Sequence, residues 1–395
     1  MKYNFDELIN RSHTNSIKYD FIEENGKPVD ILPLWVADMD FQTLPEIREA
    51  LIKVSEHGIY GYSEQKNDYF LAVASWYERR FGWKVEPSWL VKTPGVVYAI
   101  AVAIRALTQE NDAVMIQEPV YYPFAKTIKA NNRRLIKNEL IYRNNKYTMD
   151  FETLEKQIIT NKVKLLVLCS PHNPVGRVWT KEELSRLGDI CIKHNVYIVA
   201  DEIHSDFVYE GHEHSIFANI KPEYAQHTIT CTAPSKTFNL AGLQVSNIFI
   251  QDKMLREQFK KELQKNAYSQ LNIMGLKACE VAYTYGEEWL EELKRYLFEN
   301  LAFVRCFLER RLPELKLVEP EGTYLVWIDC NGLGLNPKVR QDLIVNKAKL
   351  WLDEGALFGK SGEDFERINI ACPRQILEKA LIQLEGAILQ VRNKT

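Results

Sequence analysis

An amide, a carboxylate and an amine follow three apolar runs of the chain in turn. Asn173 lies in SPHNPVG, Asp201 opens DEIH and Lys236 ends APSK. If the runs are neighbouring parallel strands, these residues meet at one edge of the sheet, because open parallel sheets bind ligands beyond the carboxyl ends of their strands. The spacing therefore predicts one site in which the three groups converge.

A fourth motif, TPGVV, leads into an apolar helical run from Tyr98 to Leu107. Gly95 permits a tight turn, and the free N–H groups at the start of a helix bind anions. Alone, the motif predicts only a helix start, which is the commoner meaning of Pro-Gly. Beside the other three motifs it predicts a phosphate site.

The four motifs together meet the requirements of pyridoxal phosphate (PLP). The phosphate would lie at the helix start, the Asp201 carboxylate would face a protonated ring nitrogen, and Lys236 would be free to form a Schiff base. The carboxylate keeps the ring protonated, so that the ring can accept electrons from a substrate. We therefore predict PLP as the cofactor.

Each of these residues also has an ordinary structural explanation. Asn173 precedes a proline and could be a turn residue, Asp201 could cap a helix, and most lysines are solvated. A metal site is a further alternative, raised by His204, His212 and His214. No additional ligands are evident near them, so we predict no metal. The order and spacing of the motifs favour a shared site over the separate explanations.

The segments that must position the motifs read as strands buried on both faces and separated by helices. Thr180 and Glu183 form a capping box for a helix that begins near Lys181 and ends near His194. Strands that are apolar throughout indicate a parallel sheet covered on both sides. The predicted strands are Asp112–Gln117, Val163–Ser170, Val196–Ala200 and Thr228–Thr232.

After about Tyr285 the pattern changes to long charged amphipathic helices around short strands. We predict helices at Glu287–Arg311, Lys338–Glu354 and Gln375–Val391, and strands at Thr323–Asp329 and Arg367–Ala371. The irregular first 45 residues are expected to pack with this region. The predicted fold class is α/β: a large domain over 46–285 with a mostly parallel sheet flanked by helices, and a smaller α+β domain formed by 1–45 and 286–395.

The bulk composition argues against several classes of partner and compartment. The net charge is −3, from 50 basic and 53 acidic side chains, so nothing favours nucleic acid or an anionic membrane as a partner. The first residues lack an apolar signal segment, and no apolar stretch approaches about 18 residues. Seven scattered cysteines without a CxxC pair fit a reduced protein. We expect a cytoplasmic protein with a small-molecule partner.

Several motifs resemble those of one family over essentially the whole chain. SPHNPVG, ADEIHSDFVY and APSKTFNLAG, in this order, are similar to fold-type I PLP enzymes of the class I/II aminotransferase superfamily, which share the fold of aspartate aminotransferase. The finer resemblance is to the MalY/PatB branch of C–S lyases, the cystathionine β-lyases. It lies in VADMDF (36–41), YGYSEQKNDYF (60–70) and RINIACPR (367–374).

This resemblance implies roles for the residues around the cofactor ring. Lys236 carries the Schiff base, and Asp201 pairs with the ring nitrogen. Asn173 bonds the phenolic oxygen and also contacts the substrate, while His204 contributes to cofactor binding. Tyr121 stacks on the ring and is implied to be catalytic together with Lys236.

The remaining implied contacts hold the phosphate and the substrate carboxylate. Gly95, Val96 and Ser235 bind the phosphate, joined by Tyr62 from a neighbouring subunit, so a homodimer is expected. Arg367 holds the α-carboxylate of an amino-acid substrate, a task that suits a planar guanidinium.

Three positions depart from the aminotransferase pattern and favour the lyase branch. Gln244 stands where aminotransferases usually carry a phosphate-binding arginine, Ala233 where a hydroxyl residue is common, and His204 where a tyrosine is frequent. The first two leave a less cationic phosphate site, to which Ser235 and Thr232 are expected to contribute more.

The reaction implied by the resemblance is α,β-elimination from S-substituted L-cysteines, with Lys236 as the base on Cα–H. L-Cystathionine would give homocysteine, pyruvate and ammonia. Two alternatives stay open: a PLP-dependent aminotransferase that uses the same lysine, and a PLP-binding regulatory protein that needs no turnover. Trp35, Tyr60 and Tyr121 are the aromatic residues expected to wall the space beyond the substrate Cβ.

Overall fold

The computed structural model describes residues 2–268 and 270–392. Its strands are β1 Leu32–Pro33, β2 Leu90–Thr93, β3 Ala113–Glu118, β4 Arg134–Glu139, β5 Ile141–Arg143, β6 Lys146–Thr148, β7 Val163–Cys169, β8 Tyr197–Asp201, β9 Thr228–Thr232, β10 Ser246–Phe249, β11 Lys316–Val318, β12 Leu325–Asp329, β13 Leu350–Trp351, β14 Asp353–Glu354 and β15 Phe365–Asn369. Its α-helices are α1 Pro45–His57, α2 Asn67–Phe81, α3 Val96–Leu107, α4 Pro123–Ala130, α5 Phe151–Asn161, α6 Lys181–Lys193, α7 Pro222–Ala225, α8 Pro234–Thr237, α9 Lys253–Gln264, α10 Ile273–Tyr285, α11 Glu287–Arg311, α12 Pro337–Asp342 and α13 Arg374–Arg392.

The central sheet has seven strands in the order β2-β10-β9-β8-β7-β3-β4. Neighbouring strands pair in parallel, except that β10 runs antiparallel to both β2 and β9. The four predicted strands are β3, β7, β8 and β9, and each lies within one residue of its predicted ends. The predicted mostly parallel sheet is confirmed.

Both faces of this sheet are covered by helices. On β7, Leu165 and Val167 enter the core beneath α3, α4 and α9, whereas Leu166 and Leu168 enter the core beneath α5 and α6. Because side chains alternate between two apolar surroundings, every position of such a strand can be apolar. This double burial explains the unbroken apolar runs in the sequence.

Helix α6 begins where the capping box predicts it. The Thr180 hydroxyl accepts a hydrogen bond from the Glu183 N–H at 3.2 Å, and the Glu183 carboxylate accepts one from the Thr180 N–H at 2.9 Å. These bonds satisfy donors that a helix start leaves free. They fix the start of the helix that links β7 to β8.

A second, four-stranded sheet follows in the order β11-β12-β15-β14, and all its pairs are antiparallel. Helix α11 matches its prediction at both ends, and α13 is one residue longer than predicted at each described end. The strand predicted at 367–371 lies two residues earlier, as β15. The strand predicted from Thr323 begins only at Leu325, because Thr323 has a φ of 68°.

The helix predicted at Lys338–Glu354 is wrong beyond Lys347. Helix α12 ends at Asp342, one π-turn follows at Leu343–Lys347, and Lys349 has a left-handed φ of 55° that ends the helical path. The next residues are strands: β13 pairs with β1 and β14 pairs with β15. Pairing with distant strands overrides the local helical pattern.

The N-terminal segment contacts elements from the last third of the chain. Strand β1 pairs in parallel with β13, and Phe5 packs edge-on against Trp289 with ring centroids 5.8 Å apart. The division into a domain at 46–285 and a domain formed by 1–45 and 286–395 stays a prediction.

Across the described parts of the chain, no helix has the length and apolar character needed to cross a membrane. All seven cysteines are free, and six of them are buried. Their burial fits the apolar runs in which the sequence places them.

Candidate active site

The residues expected to do chemistry meet at a cavity of about 210 Å³ beyond the carboxyl ends of β7, β8 and β9. Asn173, Asp201 and Lys236 all line it, because each lies at or just beyond the carboxyl end of one of three adjacent parallel strands. The structure thus brings the amide, the carboxylate and the amine together. Predicted residues that also line the cavity are Gly95, Val96, Tyr121, His204, Ser235 and Gln244.

Lys236 lies in the short helix α8, directly after β9. Its Nζ donates a hydrogen bond of 2.8 Å to the Ala37 carbonyl. Burial lowers the pKa of Lys236 to about 8; nearby Asp38 and Asp201 oppose this change, and Arg367 adds to it. At pH 7 about a tenth of such an amine is neutral, against roughly one part in 2,500 for an ordinary lysine. Lys236 is therefore suited to act as a nucleophile or a base.

The helix that carries Lys236 is held from two sides. Thr237 donates its hydroxyl to Asp206 at 2.7 Å, and Asp206 also forms a 2.7 Å salt bridge with Arg80. On the other side, the Asn239 side chain makes three hydrogen bonds, each 2.9 to 3.0 Å long, to the backbone of segment 36–41. These contacts fix the backbone around Lys236.

Asp201 is a buried carboxylate at the end of β8. One oxygen accepts a hydrogen bond of 3.1 Å from the Ile203 N–H, and no salt bridge reaches it from any residue that the structure describes. Burial raises the pKa of Asp201 to about 7, against the opposing effects of the Ile203 N–H and of Lys236. A carboxylate in these surroundings is stabilised in its charged form by a cationic partner.

Arg367 reaches the cavity from the second sheet through Asn173. Its Nη1 donates to the Asn173 side-chain oxygen at 3.0 Å, and its Nη2 donates to the Trp35 carbonyl at 2.7 Å. Nη2 also bonds the carboxylate of Asp353. The whole residue is 2% exposed, and its Nε is buried without a hydrogen-bond partner within the described chain.

Two helix starts face the part of the cavity predicted to bind phosphate. Gly95 is the residue before α3, which begins at Val96, and Ser235 lies in the first turn of α8. Gln244 lines the cavity where the family resemblance would place an arginine. Thr232 differs from expectation: its hydroxyl donates to the Asn247 carbonyl at 2.7 Å and is thus already engaged.

Tyr121 and His204 complete the lining. The Tyr121 N–H donates to the Asn173 carbonyl at 3.0 Å, and burial raises the pKa of Tyr121 to about 12, so the phenol is protonated at neutral pH. Burial lowers the pKa of His204 well below its usual value, and the cations Lys236 and Arg367 add to this effect. His204 is therefore neutral.

Several candidates lie outside the cavity of this single chain. Tyr62 is fully exposed and Tyr60 is 61% exposed. Trp35 stacks on Trp351 with ring centroids 4.5 Å apart, so among the three expected aromatic walls only Tyr121 lines the cavity. Arg374, the last residue of the RINIACPR motif, donates to the Asn300 side-chain oxygen at 2.7 Å, which is a structural contact.

The described residues contain no group of three or more His, Cys, Asp or Glu side chains arranged to hold a metal ion. Of the three histidines considered for a metal, His214 bonds Glu202 at 2.8 Å, and His204 packs edge-on against Tyr324. The Nδ1 atoms of both rings are buried without a hydrogen-bond partner among the described residues.

Two groups near the site escaped prediction. Asp353 fell within the wrongly predicted helix, although the preceding apolar LWL run could have indicated a strand. Ala37 contributes a backbone carbonyl, which no side-chain pattern reveals.

The sequence also matches the model of the family "Aminotransferase class I and II" over residues 29–384. The chain belongs to this family. Cystathionine beta-lyase PatB of Bacillus subtilis (strain 168) is 40% identical over 98% of this chain and 100% of that protein. The class I/II family assigned from the sequence motifs is confirmed.

Solved structures agree with the family over the full length. Cystalysin from Treponema denticola, which contains a pyridoxal 5'-phosphate cofactor, has a TM-score of 0.95 and 39% identity, covering 99% of this chain and 100% of its own. A PLP-bound protein from Clostridium difficile 630, described under the name aminotransferase, has a TM-score of 0.96 and 45% identity, covering 98% and 100%. The expected fold of this family is confirmed.

Proposed function

We propose that the protein is a PLP-dependent carbon–sulfur β-lyase acting on S-substituted L-cysteines. L-Cystathionine and one water molecule would yield homocysteine, pyruvate and ammonia. The observation that carries the proposal is the cavity lining: Lys236 and Asp201 suit the cofactor, while Gln244 leaves the phosphate region without the arginine usual in transaminases. The similarity to PatB, a relative named as a lyase, supports elimination over transamination.

The cavity residues fit the cofactor. Asp201 is a buried carboxylate with no salt bridge within the described chain, which a protonated ring nitrogen would satisfy. The start of α3 at Val96, together with Ser235 in the first turn of α8, would hold the phosphate. When bound, the cofactor supplies an electron sink for the negative charge that forms at the substrate Cα.

The side chains of this chain would then orient the substrate and move one proton. Arg367 binds the α-carboxylate, with its plane set by Asn173 and by the Trp35 carbonyl. Lys236, once neutral, takes the proton from Cα, and the thiolate leaves from Cβ. His204 is neutral beside Lys236, so it adds no positive charge next to the base.

We also propose a homodimer in which Tyr62 of one chain reaches the site of the other. In segment 58–66, Ile59, Tyr60 and Tyr62 are exposed by 71%, 61% and 102%. Clustered exposed apolar and aromatic side chains are typical of an interface. Sedimentation is expected to give twice the 46.0 kDa chain mass, whereas a fully active monomer would contradict the shared site.

The proposed location is the cytoplasm. All seven cysteines are free and six are buried, the state in which thiols persist in a reducing compartment. A small amino acid is the proposed partner, and the near balance of charge gives no reason to expect nucleic acid.

A paired assay separates the lyase from its alternatives. L-Cystathionine is incubated with the enzyme, with and without a keto acid, while thiol, pyruvate and newly formed amino acid are measured. We expect thiol and pyruvate at the same rate in both arms. A new amino acid that depends on the keto acid would instead show an aminotransferase. Bound cofactor without turnover of any S-conjugate would favour a regulatory binding protein.

A further inference from the structure

Arg367 already has a carboxylate partner from its own chain. Asp353 on β14 lies directly across from Arg367 on β15 in the antiparallel register. Side chains directly opposite each other in such a pair stand close together on one face of the sheet. The ion pair between them is therefore built into the strand pairing.

Both members of the pair are removed from water. The Arg367 and Asp353 side chains are each 3% exposed, and the Phe358 ring lies 4.9 Å from the guanidinium carbon. An isolated charge is costly at such a depth, so each of the two ions stabilises the other. Before any substrate binds, the positive charge of Arg367 is therefore already balanced by the negative charge of Asp353.

The ion pair with Asp353 leaves part of the Arg367 guanidinium available for a further hydrogen bond. Asp353 and the Trp35 carbonyl bond Nη2, and Asn173 accepts from Nη1, whereas Nε is buried without a partner in the described residues. An incoming carboxylate would thus meet oriented donors, but it would also meet the negative charge of Asp353 nearby.

We propose that Asp353 is a specificity-determining residue. Its negative charge lowers the affinity of Arg367 for a carboxylate group. A ligand held only by its carboxylate then binds poorly. An α-amino acid binds well because its amino group is held separately, at the Lys236 side of the cavity. This inference rests on the proposed function, in which Arg367 receives the substrate carboxylate.

The test uses the holoenzyme with its Lys236–cofactor link reduced by borohydride, which prevents turnover. Propionate, a carboxylate without an amino group, is titrated into it by calorimetry. Asp353→Asn keeps a hydrogen-bond acceptor for Arg367 but removes the negative charge. We expect it to bind propionate about tenfold more tightly than wild type, because an unscreened like charge close to the site is removed.

Three variants complete the experiment. Asp353→Ser, a second neutral replacement, is expected to tighten binding as well and serves if the Asn protein does not fold. Asp353→Glu keeps the charge and should bind propionate as weakly as wild type. Glu354→Gln, which neutralises the adjacent carboxylate on the opposite face of β14, should change nothing. A purely structural role for Asp353 would weaken binding in the neutral variants.

The outcomes separate this inference from the function on which it rests. Unchanged or weaker propionate binding in both neutral variants overturns the role of Asp353 alone. The double variant Asp353→Asn, Arg367→Ala tests the carboxylate role of Arg367. If propionate still binds to it, both that role and the role of Asp353 are wrong. Failure of borohydride to fix any cofactor on the wild-type protein contradicts the proposed function itself.

Discussion

Replacing Lys236 with alanine is expected to lower kcat/KM for thiol release from L-cystathionine by about 10³-fold or more. General acid–base catalysis alone contributes about 10²- to 10⁴-fold, and this lysine is also the proposed covalent anchor of the cofactor. The visible absorbance of bound cofactor should be lost with the amine. Thiol release and the absorption spectrum of the purified variant measure both effects.

Lys164→Ala is the matched control, since Lys164 lies exposed on β7, outside the cavity. It should retain wild-type activity and spectrum. A Lys236→Ala protein that releases thiol and pyruvate at the wild-type rate would remove Lys236 from the mechanism.

The lowered pKa of Lys236 also predicts how the rate of cofactor capture depends on pH. Only the neutral amine attacks an aldehyde, and the pKa is about 8. The rate at which cofactor-free protein captures PLP should therefore rise with pH and level off above about 8. A lysine with its ordinary pKa would keep gaining rate to above about 10. Stopped-flow absorbance across this range distinguishes the two.

Asp201→Asn is expected to lower kcat/KM by about 10²- to 10³-fold, the range measured when one preorganised electrostatic group is removed from an active site. The change keeps the size of the side chain but removes the charge that would hold the ring nitrogen protonated. Without that charge the ring accepts electrons less readily. The variant should also bind the cofactor more weakly, which equilibrium dialysis measures.

Glu139→Gln provides the comparison for Asp201. Glu139 is an exposed carboxylate at the carboxyl end of β4 in the same sheet, outside the cavity lining. We expect no effect on cofactor affinity or turnover from this change. Normal turnover in Asp201→Asn would show that the cofactor needs no carboxylate at this position.

The central sheet could be predicted because its strands are apolar on both faces and end in polar motifs. Runs such as 163–169 have few structural alternatives once helices cover both sides. The same reasoning placed Asn173, Asp201 and Lys236 at one edge, since three adjacent parallel strands end together. Their roles came from the family resemblance rather than from the spacing.

The parts of the site contributed by the second sheet could not be predicted in the same way. Asp353 is defined by its register against Arg367, and register between strands that are short and distant in sequence leaves little local signal. Residues 338–354 also follow a helical pattern in the sequence. In the structure the helical path ends at Lys349, because its backbone is left-handed. The contact of Lys236 with the Ala37 carbonyl involves no side chain of residue 37, so composition carries no information about it.

The two backbone carbonyls that accept hydrogen bonds from Arg367 and Lys236 lie two positions apart in one short stretch of chain. The Trp35 carbonyl accepts from Arg367, and the Ala37 carbonyl accepts from Lys236. Two residues of polypeptide span at most about 7 Å, so the acceptor of the carboxylate anchor and the acceptor of the amine cannot lie farther apart than this. The Asn369 side chain fixes this stretch by donating hydrogen bonds to the Val36 and Asp38 carbonyls. Covalent chain length therefore limits how far apart the guanidinium of Arg367 and the amine of Lys236 can lie while both keep their backbone acceptors.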